Sequence, residues 1–263
     1  MFLKLVKHES HAAARAMVPL LGGLLAMAIL ARGSIWMMES VESPVTSMLG
    51  VFLVSIFFLA CGAMVVTTTI LMMVRFAKSV HGDEGYLTHT LPVSVSTILL
   101  SRLLVSFLAV LLSFGAVYAG VRIATLGVDS IESLGISFRI IIEKSGIETK
   151  SILLKLCCVG VLAILSMILM IYAAISIGHS FPTGKTGKSV LFFFVLYIAA
   201  QIITSIALVG VLTAEYGFDG LRTIETNDFP SSLFWFAVGQ SVLFGSVYYF
   251  LTWITTKKRL NLA

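Results

Sequence analysis

Six long apolar stretches, none with a charged residue near its centre, constrain this chain more than any other feature. They run from Met17 to Trp36, Met48 to Val74, Ile98 to Val121, Ile152 to Ile177, Val190 to Leu212 and Leu233 to Ile254. Each reaches the ~20 residues with which a helix crosses a hydrocarbon layer ~30 Å thick. Lipid offers backbone amides no partner, so these stretches are expected to be helices bonded within themselves. The expected fold is an all-α integral membrane protein, a single transmembrane domain over residues 1–263.

Composition supports that reading and narrows the function classes. Of the 263 residues 58% are hydrophobic and 12% charged, with a mean hydropathy of +1.03, whereas about a quarter of a soluble domain is charged. The longest piece between spans, Arg122 to Ser151, has about 30 residues, short of the ~40 that an unstapled core requires. A soluble catalytic domain is therefore excluded. The three cysteines, Cys61, Cys157 and Cys158, lie inside spans and are odd in number. They suggest no disulfide framework and read as small apolar packing residues.

The basic residues set the expected orientation. Six spans place both termini on one side, together with segments 75–102 and 178–189. That side carries Lys4, Lys7, Arg15, Arg75, Lys78, Arg102, Lys185, Lys188, Lys257, Lys258 and Arg259 against Glu9, Asp83 and Glu84. Its net charge is +8, and the seven bases and ten acids of the other side leave −3. The positive-inside rule puts the basic side in the cytoplasm. The overall charge of +5 then answers anionic lipid, and no nucleic-acid partner is expected. Ala26-Met27-Ala28 resembles a signal-peptide cleavage site, but five further spans favour a retained anchor.

Ahead of the first span, Lys4, Lys7, His8, His11 and Arg15 share one helical face and Phe2, Leu3, Val6, Ala13 and Met17 the other. This pattern predicts an interfacial amphipathic helix over about residues 1–16. His8-Glu9-Ser10-His11 has its histidines three apart, one short of the spacing that lets H-E-x-x-H hold a metal. Gly184-Lys185-Thr186-Gly187-Lys188-Ser189 ends like a phosphate loop, yet Pro182 stands where the first glycine belongs and a membrane span precedes it. No catalytic residue, metal site or cofactor is expected in the chain itself.

The spans hold no Asp, Glu or His, and so lack the intramembrane titratable group that marks an ion-coupled carrier. Their polar content is neutral: Thr67, Thr68, Thr69, Ser106, Ser113, Tyr118, Ser166, Tyr172, Gln201, Thr204, Ser205, Gln240 and Ser241. Such groups are expected to join helices by hydrogen bonds. The five prolines sit at or near span ends, so the broken helices of secondary carriers are not predicted. Any energy for transport then enters from outside the bilayer.

The segment between the second and third spans offers an entry point. Asp83 can cap a short helix, Glu84 suits its positive end and Pro92 stops it, leaving Tyr86, Leu87, Thr90 and Leu91 as a semi-apolar face. Such a face fits a partner's groove or lies on lipid headgroups. Asp83-Glu84-Gly85-Tyr86-Leu87 followed by Thr90-Leu91-Pro92-Val93-Ser94, after an Arg75-Phe76 span exit, resembles the membrane subunit of bacterial type-2 ABC transporters. The resemblance extends over the chain in its N-terminal helix, six spans and cytoplasmic ends. It implies that this loop is a coupling helix, with Asp83, Glu84, Gly85, Tyr86, Leu87 and Leu91 seated in a separately encoded ABC ATPase. It implies two ATPase copies carrying the ATP and Mg, a second permease subunit that is the same or paralogous, and a multi-pass place in the bacterial plasma membrane. Export of a peptide or antimicrobial compound is common among short members of that family.

Two outer segments complete the pattern. Residues 122–151 are expected to form a short amphipathic helix on the outer surface, and residues 213–232 hold four acids against Arg222 alone, which reads first as a solvated charged loop and alternatively as an acidic exit that favours cationic cargo. The alternative class is a non-transporting membrane scaffold or an intramembrane enzyme subunit. The enzyme would need a Ser/His, paired-Asp or metal set inside the spans, and these spans carry none.

Overall fold

A computed structural model of the chain describes residues 2–41, 43–81, 94–127, 149–181, 183–220 and 231–258. Among them the regular elements are all helical: α1 (Phe2–Ser40), α2 (Pro44–Phe76) running into a π-helical turn (Ala77–His81), α3 (Val95–Ala124), α4 (Thr149–His179), α5 (Lys185–Gly220) and α6 (Ser231–Lys258). All six α-helices are long and apolar enough to cross a membrane, and each encloses one stretch marked in the sequence. α5 departs from helical geometry at Gly217, where φ is +68°, just past its apolar part. The chain reads as a multi-pass membrane protein.

The surface shows which solvent suits it. Ile206, Leu154, Leu59 and Trp235 are each more than 65% exposed, a surface that water would penalise and hydrocarbon accepts. On α6, Trp235 and Trp253 are 18 residues apart, about 27 Å along the axis. That separation matches the two aromatic belts of a bilayer.

The chain divides into two compact units. In the first, α1, most of α2 and most of α3 share two apolar clusters. Ala13 and Met17 pack with Met72, Val105 and Ala109. Further along, Leu24, Ala28 and Ala31 pack with Phe57, Cys61, Met64 and Ala124. A Cβ at Gly120 would stand 3.5 Å from the Phe57 ring, so the glycine brings α3 close to that ring.

The N-terminal segment differs from the sequence expectation. Residues 2–16 and the first span form one helix of 39 residues, about 58 Å long, that continues through Pro19. The inward stripe runs Val6, Ala13, Met17, Leu24, Ala28 and Ala31, so Val6, Ala13 and Met17 turn toward α2 and α3. One stripe whose members fall three, four or seven residues apart spans both segments, and no side change marks a boundary at residue 16.

In the second unit α4 is the central helix, packed against α5 and α6 and touched by the π-helical turn. Ile168 to Ser176 are all buried. The Phe76 ring lies over Tyr172 with centroids 3.7 Å apart and planes 6° from parallel, and Val80 beside it is fully buried. At the far end of α4 the chain turns through Gly184, φ +65°, into α5. There Gly178 meets Ser189: a Cβ on Gly178 would stand 2.5 Å from the Ser189 backbone nitrogen and Cα.

Two expectations about small polar residues are corrected. Cys61 packs in the first unit as expected, but Cys157 and Cys158 are exposed on α4, where a thiol behaves as one more small apolar group against lipid. The hydroxyls of Thr68, Thr69, Ser113 and Thr252 donate to carbonyls three or four residues back in their own helices. That local bond satisfies them without a neighbour. A crossing bond is made by Gln240, whose Nε2 donates to Thr204 Oγ1 at 2.8 Å between α6 and α5.

Candidate functional site at the ends of the second and third spans

The six residues implied as the coupling helix, Asp83, Glu84, Gly85, Tyr86, Leu87 and Leu91, lie outside the described residues. So do the amphipathic segment expected after Arg122 beyond residue 127 and most of the acidic outer segment, 221–230. What is described is how the chain enters and leaves the 82–93 segment, and both junctions are tied to other helices.

The tie in the first unit is ionic. Glu9 projects from α1 between the end of α2 and the start of α3. Its Oε2 is 3.2 Å from Arg75 Nη2 and its Oε1 3.2 Å from Arg102 Nη2. Arg102 is 7% exposed, Glu9 16% and Arg75 29%. One carboxylate thus holds two guanidiniums, each oxygen serving one of them. Desolvating these charges costs several kcal/mol per ion, which close pairing and partial exposure offset. Removing the acid would leave two facing cations, one of them buried.

Sequence reasoning counted Arg75, Arg102 and Glu9 toward orientation, and otherwise weighed Glu9 only within His8-Glu9-Ser10-His11. A signal was nevertheless present. Glu9 falls between Val6 and Ala13 on the inward stripe, where a charge requires a partner, and Arg102 lies inside an apolar stretch. The histidines flanking Glu9 confirm the register: His8 and His11 are exposed while Glu9 points inward. The arrangement is an ion clamp, and no metal-ligand set forms there. Among the described residues no three His, Cys, Asp or Glu side chains converge.

The tie in the second unit is aromatic. Directly after Arg75, Phe76 stacks on Tyr172 of α4, and the π-helical turn buries Val80 and Ser79. Ser79 Oγ donates to the Phe76 carbonyl at 3.4 Å. Lys78 of the same turn is exposed.

The lysine-rich turn between α4 and α5 is built from two helices. Ser189 Oγ lies 2.9 Å from the Lys185 carbonyl and 3.3 Å from His179 Nδ1, which itself lies 2.9 Å from the Ile175 carbonyl. The Lys188 ammonium sits 4.5 Å from the centre of the Phe181 ring. A helix precedes Gly184, so the strand that opens a phosphate loop is replaced by α4, and Ser189 faces the packed interior. Lys257 over Trp253 at 4.8 Å repeats the Lys-aromatic pairing near the end of α6. An ammonium over an aromatic face suits the headgroup boundary.

Comparison with protein-family models, with curated proteins and with solved structures gave no match.

Proposed function

We propose that this chain is the permease subunit of an ATP-driven ABC exporter in a bacterial plasma membrane. It forms a translocation path with a second membrane subunit, identical or paralogous, and is powered by two copies of a separate ATPase. Both termini and residues 82–93 face the cytoplasm, and Asp83 to Leu91 seat in the ATPase. By the same resemblance the cargo is a peptide or antimicrobial compound. The observation that carries this reading is the Asp83-Glu84-Gly85-Tyr86-Leu87 to Ser94 segment, lying between two anchored junctions. A loop that receives force from a partner requires fixed ends to pass it on. Arg75 and Arg102, bound through Glu9, supply one such fixture, and Phe76 on Tyr172 supplies another.

Co-purification and coupled turnover test the proposal. Tyr86→Ala with Leu87→Ala removes about 1.5 to 3 kcal/mol of burial per side chain, so ATPase binding should fall about a hundredfold or more. Glu84→Arg should uncouple hydrolysis from transport while the spans still insert. Wild-type retention of the ATPase and unchanged cargo-stimulated hydrolysis in both variants would sink the assignment. Transport in vesicles should survive collapse of proton and sodium gradients, and loss of transport on adding an ionophore at constant ATP would contradict an ATP-driven route. For the topology, Thr183 and Val41, both exposed, are suitable cysteine positions. An impermeant maleimide on intact cells should label Val41→Cys and spare Thr183→Cys.

A further inference from the structure

A cleft between α4 and α6 lies near the middle of both spans, and both helices belong to the second unit. Leu162, Leu165 and Leu169 of α4 and Val242 and Phe250 of α6 give it apolar walls around about 350 Å³, within the range of small-molecule sites. Gly245 of α6 is buried there and brings no side chain to fill the space. No charged side chain lines the cleft.

Depth and hydrogen bonding set this cleft apart from an ordinary gap between helices. The membrane-crossing part of α4 is Leu153–His179 and that of α6 is Ser232–Lys257, so Ser166 stands at mid-span and Ser241 about 5 Å from it. Both line the cleft. Ser246, on the same wall as Ser241, donates to the Val242 carbonyl at 2.8 Å, as Thr68, Thr69, Ser113 and Thr252 do within their own helices. Ser166 and Ser241 differ: among the described residues neither hydroxyl makes a hydrogen bond. Two free donors thus line one cleft at a depth where hydrocarbon offers no acceptor.

We infer that this cleft is a binding site for a neutral, membrane-soluble molecule that brings a hydrogen-bond acceptor, such as a carbonyl oxygen, to Ser166 and Ser241. A phospholipid tail fits the walls but leaves the hydroxyls without a partner, because the ester carbonyls lie at the edge of the hydrocarbon, about 15 Å from its middle. An ion or a charged molecule finds no counter-charge in the lining and is costly to hold at that depth. Walls of leucine, valine and phenylalanine keep bulk water out. The site requires only that α4 and α6 cross a membrane, and it stands even if the chain transports nothing.

The test uses the full chain in lipid vesicles and benzophenone, a neutral photolabel whose carbonyl is the required acceptor. Irradiation followed by peptide mass spectrometry should place label on residues 162–169 and 241–250, saturating as the mole fraction of benzophenone in the lipid rises. Fluorenone should displace it. Fluorene, which has nearly the same shape and no carbonyl, should need about ten times the concentration, the effect expected of two ordinary hydrogen bonds. Ser166→Ala with Ser241→Ala should weaken labelling about tenfold and abolish the preference for fluorenone, at wild-type helical content and elution volume. The comparison of the two competitors is made on wild type and does not depend on how the variant folds. Labelling that rises without saturation overturns the inference, since bulk lipid alone would then fill the cleft. Equal displacement by fluorene and fluorenone overturns it as well, as does unchanged labelling of the double variant. So does modification of Ser241→Cys by an impermeant methanethiosulfonate, in a background with Cys61, Cys157 and Cys158 replaced, because the cleft would then be filled with water.

Discussion

The first unit joins its helices at the 75–102 junction with charge, and the second unit fixes the neighbouring residues with shape. Glu9, Arg75 and Arg102 form contacts whose strength depends on solvent access and ionic conditions. Phe76 on Tyr172 and Gly178 against Ser189 are dry, close contacts, whose strength depends on fit. The change from one device to the other falls between consecutive residues, Arg75 and Phe76. The chain thus combines an adjustable ionic tie with a rigid packed one on the two sides of a single peptide bond. The two should separate cleanly under mutation.

The largest loss is expected from the packed tie. Phe76→Ala removes a fully covered ring and leaves a cavity over Tyr172, costing about 3 kcal/mol, the low end for such truncations. Thermal unfolding in detergent should show the drop at low and high salt alike, and Phe76→Tyr should recover most of it. A Phe76→Ala protein as stable as wild type would mean that the stack contributes little and that the contrast between the ties is mistaken.

Glu9→Gln ranks next. Breaking a buried pair by removing one partner costs about 3–5 kcal/mol, and exposure of Arg75 and Glu9 reduces that here to about 2 kcal/mol. Adding Arg102→Met should restore part of the loss, because the buried positive charge that Glu9 balances goes with it. A double-mutant cycle measures the coupling, and strictly additive losses would show that Glu9 does not pair with Arg102. Unlike Phe76→Ala, the Glu9→Gln deficit should shrink as salt is raised.

Gly178→Ala probes fit from the opposite direction by adding an atom. The new Cβ meets Ser189 backbone atoms at 2.5 Å, so α4 and α5 must shift, at a cost of about 1–3 kcal/mol. Since the clash is with the Ser189 backbone as well as its hydroxyl, Ser189→Gly should relieve it only in part. Full rescue by that second change would place the whole obstruction in the serine side chain.

These contrasts also mark how far the sequence could be read. The spans were legible because a run of ~20 apolar residues reports a helix in lipid without reference to any neighbour. The join between residues 2–16 and the first span was not, since an amphipathic face looks the same whether lipid or two other helices cover it. Val6, Ala13 and Met17 face helices. The clamp escaped notice for a related reason: charge counting assigns Glu9, Arg75 and Arg102 to a side of the membrane but says nothing of which helix ends adjoin. The inward register of Glu9 was the residue-level clue. Polar residues within spans were misjudged because composition does not distinguish a hydroxyl bonded to its own helix from one reaching across. The implied coupling residues, Asp83 to Leu91, rest on resemblance alone.

That last distinction yields the smallest and most discriminating expectation. Thr68 is fully buried, yet its hydroxyl donates to the Met64 carbonyl one turn back. Thr68→Val keeps the shape and frees a carbonyl that already accepts a backbone bond, so stability should change by about 0.5 kcal/mol or less. Gln240→Leu deletes the bond to Thr204 that crosses from α6 to α5, for which membrane double-mutant cycles give an average of about 0.6 kcal/mol and a ceiling near 1.7. The pair Gln240→Leu and Thr204→Val should therefore show coupling, while Thr68→Val with any change at Gln240 should be additive. Coupling absent from the first pair would mean that the Gln240–Thr204 bond carries no weight in the fold, leaving apolar contact and the Ser232–Glu215 bond near the helix ends to hold α6 to α5.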